Sequence, residues 1–387
     1  MSAFAEYGLS DEVLRGIFSY GFEEPSAIQQ RVIPQIIAGN DCLAQSPSGT
    51  GKTGAYGIGL IHRMVTHRCN AIVVVHTREL ARQIETVASS LAQYIADVAV
   101  VCCTGGSGSH RKDTKRLRSS PLFLMIATPG RCLDILRKDA FVARTVGALV
   151  LDEADELVNP SFQETLRGIF SVLPADALVC VVSATVSDDL RLMSRNFLRE
   201  GHFVHETQDC RALVLSGIRQ YKFVCQNVME KITALERMYQ TWSIGASMIF
   251  CDSRSKVDWL GDQMESRGYA VGRIHAGLSD EDRRRVMGSF RSGAARVLIC
   301  TNLLARGIDV QKVELVVLYD MIAVSDTYLH AIGRCGRYGR KGVSVAFVEN
   351  TADDLASLDR MQAKFGVTVD EVPPTLCVPE MCMLDRS

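Results

Sequence analysis

Along the first 200 or so residues, short apolar runs alternate with longer stretches in which apolar positions recur every three or four residues. The runs are "CLAQS" (42–46), "AIVVVHT" (71–77), "VAVVCCTGG" (98–106), "LFLMIATP" (122–129), "ALVLDEAD" (148–155) and "LVCVVSAT" (178–185). They are nearly continuous rather than alternating, which predicts strands buried on both faces. "TRELARQIETVASSLAQYI" (77–95) has helical spacing, and a helical opening is expected at about residue 9. Strand, helix, strand in repetition predicts a parallel sheet wrapped by helices.

The rhythm breaks across "FVHETQDCRALVLSG" (203–217). It restarts with "IRQYKFVC", "ASMIFCDS", "YAVGRIHA", "ARVLICTN", "VELVVLYD" and "VSVAFVEN". The chain therefore reads as α/β, with two tandem domains of similar architecture, each a mostly parallel sheet flanked by helices. The boundaries expected are 1–207, a linker at 208–215, and 216–387. A length of 387 residues suits two domains.

Charge changes the picture in one respect. With 43 Lys+Arg against 44 Asp+Glu, the net charge of −1 gives no whole-surface attraction for nucleic acid, so any such site must be a local basic track. Thirteen cysteines, most of them inside apolar runs, read as reduced core thiols of a cytosolic or nuclear protein. Cys102–Cys103 and the "CVPEMC" tail lack partners at zinc spacing. No apolar run reaches the roughly 18 residues a membrane span needs, so a soluble chain without a membrane partner is expected.

Ligands of parallel sheets gather at the carboxyl ends of the strands. Polar and glycine residues collect there: "SPSGTGKT", "HTREL", "CTGG", "ATPGR", "DEAD" and "SAT", then "CDSR", "HAG" and "CTNLLARGID". In "SPSGTGKT" (46–53), Gly49 and Gly51 let the loop curl so that its N–H groups, including those of Ser48 and Thr50, face phosphate oxygens. Lys52 would reach the outer phosphates of a nucleotide, and Thr53 would offer its hydroxyl to Mg2+. Asp152 and Glu153, unpaired and exposed at a strand end, would repel each other, so a cation is expected beside them. Asp152 is then the magnesium partner of Thr53, and Glu153 orients or deprotonates an attacking water. Thr77, Arg78, Gly106, Thr128 and Arg131 are small, hydroxylic or basic groups on adjacent strand ends. Such groups hold phosphates and sugars rather than base edges, which predicts sequence-independent binding.

In this order and spacing the motifs resemble those of the DEAD-box ATP-dependent RNA helicases, from about residue 4 to about 350. "GFEEPSAIQQ" (21–30) is similar to the family's glutamine motif, which implies that Gln29 reads adenine and Phe22 stacks near the base of ATP. "HTREL", "TGG" and "TPGR" are similar to its first-domain RNA motifs, and "SAT" to the motif tying ATP state to domain closure. "TNLLARGID" (301–309) and "HAIGRCGR" (330–337) resemble the second-domain motifs. The resemblance adds Arg254 and Thr301 to the RNA contacts and places Asp309 at the ATP ribose. It implies two RecA-like domains and local, non-processive unwinding. "LLRGIFSYGFEEPSAIQQ", "ARGIDVQKVELVVLYD" and "GRYGRKG" look most like the initiation factor 4A branch. That branch implies messenger RNA and translation, a cytoplasmic (or nuclear) monomer, and a protein scaffold of the initiation-factor 4G type. Splicing-linked relatives look similar.

In "YLHAIGRCGRYGRKG" (328–342), Arg334, Arg337 and Arg340 recur every third position. Arg334 and Arg337, about one helical turn apart, would face one way as arginine fingers for phosphoryl transfer. Five positions depart from the family pattern: Pro47, His76 (where the family usually has proline), Asp280, Asn302 and Ala331. Ala331 stands where the family writes arginine and Asn302 where it usually has aspartate, so two readings remain: an RNA-stimulated ATPase and helicase, and an ATP-responsive RNA clamp or scaffold subunit with weak turnover. A P-loop GTPase is disfavoured, because no guanine-reading "NKxD" stretch occurs.

Overall fold

The computed structural model describes residues 3–47, 49–105, 110–205, 218–242, 244–302, 313–322, 326–335 and 342–372. The chain divides into two compact units, Met1–Cys210 and Arg211–Ser387. The expected linker, 208–215, lies outside the described residues, as do Ser48, Gly106, Asp309, Arg337, Arg340 and the "CVPEMC" tail.

In the first unit the six apolar runs form β1 (Cys42–Gln45), β2 (Asn70–Val74), β3 (Val98–Cys103), β4 (Leu122–Ala127), β5 (Val146–Asp152) and β6 (Leu178–Ser183). A further strand, β7 (Phe203–His205), closes one edge. The order is β3-β4-β2-β5-β6-β1-β7, and every pairing is parallel. All residues of β2, β4 and β6 are buried, as double-sided packing requires, while the edge strand β3 is partly exposed. Two apolar layers fill the two faces. One, with Ile58, Ile61 and Val150, lies under the helix Lys52–His67, and the other includes Leu149, Leu151 and Ile135.

The second unit repeats this plan with β8 (Ile218–Cys225), β9 (Ser247–Cys251), β10 (Val271–Ile274), β11 (Val297–Thr301), β12 (Leu315–Leu318), β13 (Gly342–Glu349) and β14 (Asp370–Glu371). Their order is β10-β11-β9-β12-β13-β8-β14, the same permutation as in the first unit, and again all parallel. Neither β7 nor β14 was expected. Both are short edge strands without an apolar run: β7 is only partly buried, and β14 is two exposed carboxylates held by backbone pairing to β8.

The opening is helical, with a 3-10 turn over Ala3–Tyr7 ahead of the helix Asp11–Tyr20. The described cysteines are free thiols, and all but Cys69 are buried. No described helix is long and apolar enough to cross a membrane.

Candidate functional site

The loop after β1 is built around one glycine and one glutamine. Gly51 takes φ 96°, in the left-handed region, and a Cβ there would stand 2.8 Å from Gln29 Nε2. Gln29 is itself buried and occupied: its Oε1 accepts from the Ser26 N–H at 2.9 Å, and its Nε2 donates to the Gly51 carbonyl at 3.3 Å. This caps the helix Ala27–Ala38 and pins that helix to the loop in one step. Phe22 packs beside it; a Cβ on Gly54 would lie 2.9 Å from the Phe22 ring. Within the loop the Thr50 hydroxyl donates to the Pro47 carbonyl at 2.7 Å, and Lys52 Nζ donates to the Ser46 carbonyl at 2.7 Å. The loop is thus closed on itself, with Lys52 and Thr53 opening the helix Lys52–His67.

The acidic strand end differs from expectation. Asp152 and Glu153 are 3% and 8% exposed, not open to solvent. β5 is central in the sheet and the helix Lys52–His67 roofs its end, so the carboxylates find protein partners. Asp152 Oδ2 accepts from the Tyr56 hydroxyl at 2.7 Å, and its Oδ1 accepts from the Glu153 N–H at 2.8 Å. Burial pushes the Asp152 carboxyl up to about 6, against the opposing pull of Lys52. Burial and Asp152 likewise raise the Tyr56 phenol well above its ordinary value. Thr53 stands three residues before Tyr56 on the same helix, and the Tyr56 bond fastens that helix to Asp152. Glu153 adopts φ 48°, ψ 50°, a left-handed backbone that a glutamate enters only at some cost. Its Oε2 lies 3.3 Å from His76 Nδ1. Neither the Tyr56 nor the His76 contact was anticipated. Tyr56 stands one helical turn after Lys52, a spacing that was available to be read; His76 required the strand pairing.

Sheet order then divides the rim. On β1, β5 and β6 sit the phosphate loop, the carboxylates and Ser183–Thr185. On β2, β4 and β3 sit Thr77 and Arg78, Thr128 and Arg131, and Gly105. The two halves meet between β5 and β2. The Thr185 hydroxyl donates to Asp155 at 2.6 Å, which ties the strand end of β6 to that of β5. Thr77 caps the helix Arg78–Ala92, its hydroxyl accepting from the Leu80 N–H at 3.3 Å, and the Arg78 guanidinium lies against Gly105. Thr128 precedes the helix Pro129–Lys138 at its N-cap. Arg131 is largely buried, with Nε 3.2 Å from Asp113. Burial raises the Asp113 carboxyl and Arg131 opposes the shift.

In the second unit, Arg254 opens the helix after β9, Gly277 follows β10, and Thr301 ends β11. The order β10-β11-β9 brings these three strand ends together, and the Arg254 guanidinium approaches Gly277. These strands correspond, one for one, to β3-β4-β2 of the first unit. The helix Asp326–Ile332 stops before Arg334, because Gly333 begins a turn. Arg337 lies outside the described residues, so the expected register of Arg334 with Arg337 stays an expectation. Arg334 is 4% exposed, and its Nε donates to the His330 carbonyl at 3.0 Å. Ala331 is fully buried in the apolar layer with Phe250 and Leu318.

Residues 26–193 match the family model described as DEAD/DEAH box helicase, and residues 230–339 match the helicase conserved C-terminal domain. The chain is 39% identical, over 96% of its length and 93% of the relative's, to the ATP-dependent RNA helicase eIF4A of Pyricularia oryzae. It is 41% identical over 96% of its length to the ATP-dependent RNA helicase FAL1 of Yarrowia lipolytica, covering 92% of that protein. Among solved structures, S. cerevisiae Dbp5 bound to RNA and ADP BeF3 superposes with a TM-score of 0.86 at 30% identity, covering 96% of both chains. Two seven-stranded parallel sheets of one permutation, a phosphate loop beside a buried Asp-Glu pair, and identity along nearly the whole length place this chain in the DEAD-box family of ATP-dependent RNA helicases, with two RecA-like domains.

Proposed function

We propose that the chain is an RNA-stimulated ATPase that uses ATP to bend and locally unwind RNA. The observation that carries this is the division of one sheet rim into a nucleotide half on β1, β5 and β6 and a nucleic-acid half on β2, β3 and β4. In this reading Phe22 and Gln29 hold the adenine. The backbone of Ser48, Gly49, Thr50 and Gly51 cradles the phosphates, Lys52 neutralises their outer oxygens, and Asp309 holds the ribose. Thr53 opens the helix that Tyr56 bonds to Asp152, and the Thr53 hydroxyl with the Asp152 carboxylate is a hard-oxygen set that fits Mg2+. Magnesium would supply charge neutralisation at the β- and γ-phosphates. Glu153 orients the water that attacks the γ-phosphorus and accepts its proton, while the bond from that phosphorus to the β–γ bridging oxygen breaks and ADP leaves. Arg334 and Arg337 stabilise the charge spread over the γ-oxygens, so hydrolysis depends on the second unit.

Thr77, Arg78, Gly106, Thr128 and Arg131, with Arg254 and Thr301, hold the RNA backbone, which makes recognition independent of base sequence. A binding surface that accepts only bent backbone would exclude duplex. Each stacked base pair lost costs roughly 1–2 kcal/mol, so a few pairs are within reach of one ATP-driven binding event. The relatives named eIF4A support a role in translation, and in this reading the substrate is messenger RNA, the partner a scaffold of the initiation-factor 4G type, and the chain a cytoplasmic monomer.

The test is steady-state ATP hydrolysis with and without single-stranded RNA, in the chain and in Glu153→Gln. RNA is expected to raise turnover in the chain. Glu153→Gln is expected to keep ATP and RNA bound while losing hydrolysis by about a hundredfold or more. Background turnover at saturating RNA would overturn the ATPase reading. It would favour an ATP-responsive RNA clamp, for which the observation is Ala331, an uncharged buried residue where the family pattern has arginine.

A further inference from the structure

His76 is the last residue before Thr77 and Arg78, and it reaches the opposite half of the rim. β2 and β5 pair in parallel with Val73 facing Val150 and Val74 facing Leu151. Two residues beyond these last partners stand His76 and Glu153, so strand register alone brings them side by side. The His76 Nδ1 to Glu153 Oε2 separation is 3.3 Å, with side chains 8% and 10% exposed. At such burial a neighbouring polar group, rather than bulk water, sets where a carboxylate points. The Glu153 backbone sits in the left-handed region with its N–H bonded to Asp152, which leaves the side-chain torsions as the freedom for His76 to restrict. On its other side, one peptide separates His76 from the N-cap hydroxyl of Thr77. A proline, which the family pattern carries at this position, offers no side-chain donor.

We propose that His76 is a positioning residue for Glu153, and that it passes the seating of RNA on Thr77 and Arg78 to the carboxylate that orients the attacking water. The proposal rests on the ATPase reading above, so its test separates the two. RNA-stimulated turnover on poly(U) is measured for the full chain, for His76→Ala and for His76→Asn, whose amide nitrogen falls near the place of Nδ1. His76→Ala is expected to lower RNA-stimulated kcat about tenfold, while KM for ATP and the affinity for a fluorescent ADP stay within about twofold. His76→Asn is expected to recover a large part of that loss. An alanine variant equal to the parent, or an asparagine variant as impaired as alanine, would overturn the proposal. The second result would mean that only ring volume matters.

A second measurement does not depend on turnover. In protein carrying 15N-labelled histidine, the ring signal that His76→Asn removes is expected to shift on Glu153→Gln and again on adding poly(U). A signal that responds to neither overturns the proposal even if the protein hydrolyses ATP normally. A parent chain without RNA-stimulated turnover, in which that signal still responds, removes the ATPase reading and leaves the His76–Glu153 linkage standing.

Discussion

Tyr56 lies one helical turn beyond Lys52, and its hydroxyl donates to a carboxylate that is itself buried. Removing that hydroxyl leaves Asp152 with one protein donor fewer in a place water reaches poorly, while the ring still fills its space. Tyr56→Phe is therefore expected to destabilise the first unit by about 1–2 kcal/mol in urea unfolding, the cost of leaving a buried acceptor short of a partner. It is also expected to weaken the magnesium dependence of nucleotide binding, read as the shift in ADP affinity between chelator and magnesium buffers. An unfolding midpoint equal to the parent's would mean the bond contributes nothing. The glutamine motif shows how far residue types carry. The resemblance implies an adenine-reading role for Gln29, whereas its bonds to the Ser26 N–H and the Gly51 carbonyl came only from the structure. Those bonds give it a structural task in which the same side chain shapes the phosphate loop.

Elements of this chain begin and end on short-range polar contacts. Asp139 separates the helix Pro129–Lys138 from the helix Ala140–Arg144 and caps the second, accepting from the Phe141 and Val142 N–H groups at 3.1 and 3.2 Å. Arg118 pairs with both its oxygens, Nε to Oδ2 at 3.0 Å and Nη2 to Oδ1 at 2.6 Å. Burial raises the Asp139 carboxyl, but Arg118 and the two N–H groups outweigh it, so the net position is below the ordinary 3.8. A carboxyl depressed in the folded state stabilises the fold at every pH above its unfolded value, and that contribution fades as pH falls through the folded value. Asp139→Asn is thus expected to be less stable than the parent at pH 7, with the gap closing below about pH 4. A gap that stays constant from pH 7 to pH 3 would assign the loss to hydrogen-bond geometry rather than charge. The strands follow a different logic. β2, β4 and β6 announced themselves as unbroken apolar runs because both faces are covered. β7 and β14 could not, because an edge strand can be made by backbone pairing alone.

At the scale of the molecule, two units share one strand permutation, and the residues assigned to RNA lie on the same side of it in each, after β2, β3 and β4 in the first unit and at β9 and β11 in the second. Of those residues, Arg78, Arg131 and Arg254 bear charge, set in a chain whose net charge is −1. Affinity for single-stranded RNA is therefore expected to fall with salt from these local contacts, with a log–log slope of about −2 for three neutralised phosphates. Arg254→Ala is expected to make that slope about 0.7 shallower and to weaken poly(U) and poly(A) alike. A slope near zero, or a strong preference between the two polymers, would contradict backbone recognition.

The α/β class, the parallel strands and the motifs at their carboxyl ends were all determined by local pattern. Burial on both faces writes itself as unbroken apolar residues, and phosphate and sugar contacts need glycine, hydroxyl and basic groups at strand ends. Tertiary structure alone decided which of those ends are neighbours. The order β3-β4-β2-β5-β6-β1 depends on how helices cross the sheet, not on any one segment, and it brings His76, just past the end of β2, against Glu153, just past the end of β5. It also decided that Asp152 and Glu153 are buried rather than exposed. Solvent access at a strand end is set by the helix that covers it, and that helix begins about a hundred residues away in the chain.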